Sequence, residues 1–152
     1  MMRSAAAFLA LGLMALPSLG QAATVCASGM TDDTLRPLPP RDAEAARHAF
    51  GLGPDMPGAL IAQLTVYRCD AGRMLMCTAG ANLPCGKADT ARQLTAATHW
   101  CADNPDADAI PAYVTGHDTA YQWSCQGGKA VPGQIAPLDD RGFFESYWKP
   151  AP

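Results

Sequence analysis

The chain has 152 residues, with 11 Lys and Arg against 14 Asp and Glu, a formal net charge of −3 and a mean hydropathy of −0.03. Its basic residues form no cluster and its acidic excess is mild, which argues against nucleic acid, anionic membrane and a dedicated basic partner. The length is one domain's worth and can bury a genuine core.

Residues 1–22 read as a secretory signal peptide. Arg3 supplies the positive start, 5–16 is an apolar run, 17–20 breaks it, and Gly20 and Ala22 are small residues at the cleavage positions. The run is shorter than the ~20 residues a membrane span needs. Cys26 is preceded by bulky Val25, which does not suit a lipoprotein signal. Cleavage leaves about 130 residues with ten basic and fourteen acidic side chains. The expected location is periplasmic or secreted, with no membrane insertion after cleavage.

All six cysteines, Cys26, Cys69, Cys77, Cys85, Cys101 and Cys125, lie beyond that leader. An even count in an exported chain implies a disulfide framework. No Cys-x-x-Cys is present, against a thioredoxin-like dithiol or a zinc knuckle. Six cysteines allow 15 pairings. The preferred ones join Cys85 to Cys101 and one of Cys69 or Cys77 to Cys125. Each bridge would stabilise the fold by roughly 2–4 kcal/mol.

Residues 23–40 are expected to form an extended N-terminal arm, polyproline-like over 35–40. A single disulfide-stabilised domain then occupies 41–152. Residues 41–52 read as a helix, with Pro40 near its first turn, Asp42 and Glu44 at its N-terminus, and Gly51 or Gly53 to end it. His48 on this helix is read as a surface histidine. A Gly/Pro loop over 51–58 leads into the central stretch.

Residues 60–69 and 73–78 are expected to form a hairpin about Asp70-Ala71-Gly72. Pairing Cys69 with Arg73 puts Cys77 opposite Thr65 and both cysteines on one side. Leu60, Leu64, Val66, Met74 and Met76 then make the core face. A helix is the alternative for so short an apolar run. Residues 79–86 follow as a turn-rich, disulfide-pinned loop.

Residues 89–102 read as a helix capped by Asp89 or Thr90, with Ala91, Leu94, Ala97 and Cys101 on one stripe and His99 on its flank. Asp103, Asp106 and Asp108 are set close enough to raise a calcium reading, but the EF-hand pattern fails because its Gly and Glu are missing. A solvated helix exit is preferred. Strands are expected over 110–115, 119–125, 129–131, 134–138 and 143–148, joined by tight turns into an antiparallel meander.

His117 and Asp118 are adjacent and raise a general-base reading, although neighbours on a turn usually point apart. There is no Gly-x-Ser-x-Gly elbow and no free thiol to pair with a histidine. Met74, Met76 and His117 raise a copper reading, against which Met ordinarily fills gaps on an apolar face. No metal or cofactor is expected. Tyr121, Trp123, Tyr147 and Trp148 are the aromatic residues expected to form a binding patch.

The stretches VYRCDAGRMLMCTAGANLPCGKADT, IPAYVTGHDTAYQWSC and LDDRGFFESYW resemble a group of small exported, cysteine-containing bacterial proteins without an assigned activity. The likeness begins near Thr65 and leaves Cys26 and the first helix outside it. The Tyr-x-Cys-x-x-Gly opening and the Tyr-x-Trp strand also look like the small β-barrel inhibitors of bacterial lysozyme, whose inhibitory loop maps to no residue here.

The expected fold is α+β: a small antiparallel sheet of five or six meandering strands with one or two short helices, stabilised by disulfides. The expected function is a non-catalytic binding or structural module for an unknown protein or cell-envelope ligand. The alternatives are an inhibitor of a cell-wall hydrolase and a small hydrolase using His117 and Asp118.

Overall fold

The computed structural model describes residues 25–80 and 83–152; the expected signal peptide lies outside them. The fold is α+β with entirely antiparallel strand pairing, a four-stranded sheet in the order β1-β2-β3-β6 and a separate two-stranded sheet β4-β5. The strands are β1 (Asp32–Pro37), β2 (Thr65–Asp70), β3 (Arg73–Thr78), β4 (Tyr121–Gln126), β5 (Lys129–Ile135) and β6 (Lys149–Pro150). The helices are α1 (Ala43–Phe50), α2 (Gly58–Leu64), α3 (Thr95–Asp103) and α4 (Ala112–Thr115).

The β2–β3 hairpin is the centre of the molecule. Its loop has two residues, Ala71 and Gly72, at φ 50° and 82°. That pair of positive φ values suits a tight hairpin turn matched to strand twist. Residues 30 and 31 hold the turn in place: Gly72 N–H donates to the Met30 carbonyl at 2.8 Å and Ala71 N–H to Thr31 Oγ1 at 3.0 Å. Asp70 therefore pairs with Arg73, and Cys69 pairs with Met74 rather than Arg73. A one-residue change of register moves side chains to opposite faces. Cys69 and Cys77 accordingly point to opposite sides of the sheet, correcting the expectation that they share one. Val66 is likewise parted from Met74 and Met76.

Each hairpin face closes a core, and each core contains a disulfide. Tyr67, Cys69 and Met76 pack with Leu38, Ala43, Ala46, Ile61 and Cys26, and Cys26 is bonded to Cys69. On the other face Cys77, Val66 and Leu75 pack with Phe143 and Trp148, with Cys85 beside them bonded to Cys77. A third core joins Ala97 and Cys101 of α3 to Ile110, Trp123 and Cys125, with Cys101 bonded to Cys125. Three disulfides are thus present, but the pairings differ from those preferred on sequence. Each bond ties together segments that share one core.

Several elements differ from expectation. Residues 60–64 belong to a helix, not a strand; Ile61 and Ala62 are its buried residues, while Leu60 and Leu64 are exposed. The N-terminal arm is built into the sheet: Asp32 pairs with Cys69, and Arg36 with Tyr67. Helix α1 agrees closely with the expected helix and ends on Gly51 at φ 61°. Helix α3 starts six residues later than the expected helix at 89, because 87–89 is drawn into bridges with Phe143 and Thr119. Residues 112–115 form helix α4 rather than a strand. Residues 129–131 and 134–135 belong to one strand, and 143–148 carries a 3-10 turn at Glu145–Tyr147 instead of a closing strand.

Buried Arg68 locks the hairpin to the C-terminal turn. Its side chain is 1% exposed and ion-pairs with Asp139. Its guanidinium lies 4.2 Å from the Phe143 ring centroid and 4.8 Å from that of Trp148. The other Asp139 oxygen accepts from the Arg141 and Phe143 backbone N–H groups, each at 2.9 Å, which shapes the turn.

Candidate functional site

The candidate site lies at the beginning of β4. Three neighbouring segments are tied to this strand. Ile110 N–H donates to the Trp123 carbonyl and Cys125 N–H to the Ala107 carbonyl, both at 2.8 Å, along one edge. β5 pairs along the other edge, with a register shift between Tyr121 and Trp123. Such an irregularity re-aims side chains where it occurs. Asp89 bridges the approach to the strand, donating to the Asp118 carbonyl and accepting from Ala120 N–H.

Thr119 anchors the local geometry. Its Oγ1 accepts from Trp123 Nε1 at 2.9 Å, satisfying a buried indole that would otherwise lose its donor to the core. Tyr121 packs edge-on to Trp123 with ring centroids 6.2 Å apart. The Arg92 guanidinium lies 5.3 Å from the Tyr121 ring centroid. At the C-terminal side Tyr147 packs on Phe144 at 5.0 Å.

Two adjoining cavities open here. Their volumes are about 310 and 390 Å³, and both are lined by His117, Thr119, Tyr121, Gln122 and Tyr147. The first continues along Gln134, Ile135 and Phe144; the second continues along Asp108, Ile110 and Trp123. These volumes lie at the small end of the ~300–1,000 Å³ typical of small-molecule sites. Together the cavities form a groove across the start of β4.

Three of the four expected aromatic residues meet in this groove: Tyr121 and Tyr147 line both cavities and Trp123 lines the second. Trp148 does not join them; it is buried in the core under the hairpin, edge-on to Phe143. Gln122 and Gln134 carry no signal of their own in the sequence. Polar residues between aromatic ones look like ordinary strand alternation, and only the register shift and the approach of 144–147 bring them to one place.

His117 lines both cavities, whereas Asp118 lines neither. Gly116 has φ 88°, and a Cβ there would meet Asp118 Oδ1 at 2.7 Å, so the carboxylate folds back against the Gly116 backbone. The adjacent pair is split between the groove and the turn.

Of the other candidate side chains, Asp108 lines the second cavity, and the rest line neither. Met76 is fully buried in the first core and Met74 packs against it. Asp106 accepts from Gly127 N–H, fastening the β4–β5 turn. Among the described residues no three His, Cys, Asp or Glu side chains come together as a metal site. His48 and His99 are exposed on their helices.

A second hollow of about 380 Å³ is lined by Thr31, Asp70, Asp139, Asp140 and Arg141. Three of its charges are committed internally: Asp139 to Arg68, Asp70 to Arg73, and Arg141 to Asp33. Hydrogen bonds from Arg141, then Lys87, hold the Asp33 carboxyl down to about 2 from its usual 3.8. Hydrogen bonding to Thr34 is the main cause that depresses the neighbouring Asp32 carboxyl. This hollow is a structural ion-pair region, and the groove on β4 has the freer polar surface.

No protein-family model matches the chain, and comparison with curated proteins and with solved structures returns no significant match. Among the described residues no helix is long and apolar enough to cross a membrane.

Proposed function

We propose that this chain is an exported, non-catalytic binding module whose ligand seats in the groove at the start of β4. The observation that carries the reading is the pair of adjoining cavities sharing His117, Thr119, Tyr121, Gln122 and Tyr147. A concave surface that mixes aromatic faces with a few convergent polar groups is the usual form of a small-ligand site. Export is supported by three disulfides, which persist in oxidising compartments. The non-catalytic reading rests on the Asp118 carboxylate turning to Gly116, which leaves His117 in the groove without the neighbour that would orient it as a base.

The test is backbone chemical-shift mapping of the labelled, disulfide-intact protein. Three fragment classes from the cell envelope are titrated: neutral oligosaccharides, stem peptides and fatty acids. At least one class should shift residues 117–123, 134–137 and 144–147 together. Shifts confined to other surfaces, or none with any class at millimolar concentration, would overturn the reading.

A further inference from the structure

We infer that the groove takes an uncharged oligosaccharide; this rests on the binding-module reading and names its ligand class. The first argument is electrostatic. Among the described residues, no carboxylate, ammonium or guanidinium lines the first cavity, and Asp108 is the one such group lining the second. A charged ligand entering the first cavity would lose hydration with no opposite charge among the lining side chains to compensate; the nearby Arg92 guanidinium is engaged with the Tyr121 ring and hydroxyl. The occupant is therefore neutral along most of its length.

The second argument is the kind of polar group present. Gln122 and Gln134 each carry an amide that donates and accepts at once, His117 carries ring nitrogens, and Tyr147 carries a phenol. Hydroxyl groups also donate and accept at once, so a polyhydroxylated ligand can satisfy both halves of each amide. Fatty chains would leave these groups desolvated and unpaired. Thr119 contributes less, because its oxygen already accepts from Trp123.

The third argument is shape. Tyr121 and Tyr147 border both cavities, Phe144 lines the first and Trp123 the second, so aromatic rings are spread along the groove rather than closing a single pocket. A sugar ring presents a C–H face that stacks on an aromatic ring and a rim of hydroxyls that meets amides. A chain of such rings repeats both features. The two cavities then act as adjoining subsites, with Gln122 and Tyr147 serving both.

The experiment is isothermal titration of the whole disulfide-intact protein with neutral chitotetraose and cellotetraose. The controls are cationic deacetylated chitotetraose, an anionic oligogalacturonide and a stem peptide. A neutral oligosaccharide should bind, and both charged ones should bind at least roughly tenfold more weakly. Gln122→Ala and Tyr147→Ala should each weaken binding roughly five- to tenfold, the scale of one lost polar or stacking contact. Tyr147→Phe keeps the ring and should bind more tightly than Tyr147→Ala, whereas equal losses would overturn the stacking contact; an unchanged melting temperature for Gln122→Ala shows that the fold is kept. If the peptide or a charged sugar binds in the groove and neutral sugars do not, the saccharide inference fails while the groove reading stands. If no probe binds and no groove residue shifts with any fragment class, both fail.

Discussion

The Arg68–Asp139 pair offers a sharp test of the packing account, because its two partners differ in burial. Arg68 is 1% exposed and the Asp139 side chain 26% exposed. Replacing Asp139 by Asn leaves a guanidinium fully buried without its counter-charge. The Asn oxygen is still required by the Arg141 and Phe143 N–H groups, so its NH₂ would face the guanidinium, donor against donor. Orphaning one member of a buried pair costs about 3–5 kcal/mol. Arg68→Met removes the other member but leaves a carboxylate that water can reach. It also loses stacking on Phe143 and Trp148, which a thioether partly replaces. Its cost should be about 1–3 kcal/mol. The double variant should be more stable than Asp139→Asn alone, since no buried charge is left unpaired. Urea unfolding with the disulfides intact, followed by circular dichroism, measures all three. The reasoning is refuted if Asp139→Asn costs less than Arg68→Met, or if the two costs simply add.

Other consequences can be checked separately. Removing each disulfide should destabilise in order of the loop it closes: about 4 kcal/mol for Cys26–Cys69, ~3.5 for Cys101–Cys125 and ~2.5 for Cys77–Cys85, from separations of 43, 24 and 8 residues. Melting of paired Cys→Ala variants tests this order, and an inverted order would contradict it. Gly72→Ala forces a side chain onto φ 82° and brings its Cβ to 2.7 Å from Gly29 N. That should cost roughly 1–3 kcal/mol in the same urea assay. The Asp33 carboxyl is depressed in the folded state, so its pairing contributes stability above the ordinary value of 3.8 and loses it as pH falls toward about 2. Asp33→Asn should flatten that acid limb of a stability–pH curve, and an unchanged limb would show the ion pairs idle. Lysozyme assayed with an excess of this protein should keep its full rate. Inhibition accompanied by a complex between the two proteins would favour the hydrolase-inhibitor alternative over the binding module proposed here.

Signals that act within a few residues were legible in the sequence. Pro40, Asp42 and Gly51 bracket helix α1, and Ala71-Gly72 marks the hairpin turn. The α+β class follows from such signals summed along the chain. What depended on distant contacts was not legible. Residues 60–64 have an apolar run short enough for either structure, and packing against α1 favours the helix. The hairpin register turned on one residue of loop length, settled by hydrogen bonds that Gly72 and Ala71 donate to residues 30 and 31. That same residue decided which cysteines could meet, so the preferred pairings went astray together with the expected core face. The groove was half legible. Tyr121 and Trp123 lie on β4 as the alternation implies, but Tyr147 ends a 3-10 turn while Trp148 resumes an extended backbone, which sends the neighbours to different surroundings. The glutamines gave no signal of their own, because an exposed amide on a strand is commonplace.

The most direct measurement for the central claim is a crystal structure of the protein with chitotetraose at saturating concentration. The account predicts sugar rings lying across the start of β4, against Tyr121 and Tyr147, with Gln122 hydrogen-bonded to ring hydroxyls. Ordered sugar seated only at the acidic hollow near Asp140 or on the helices α1 and α2, with the β4 groove empty, would contradict it.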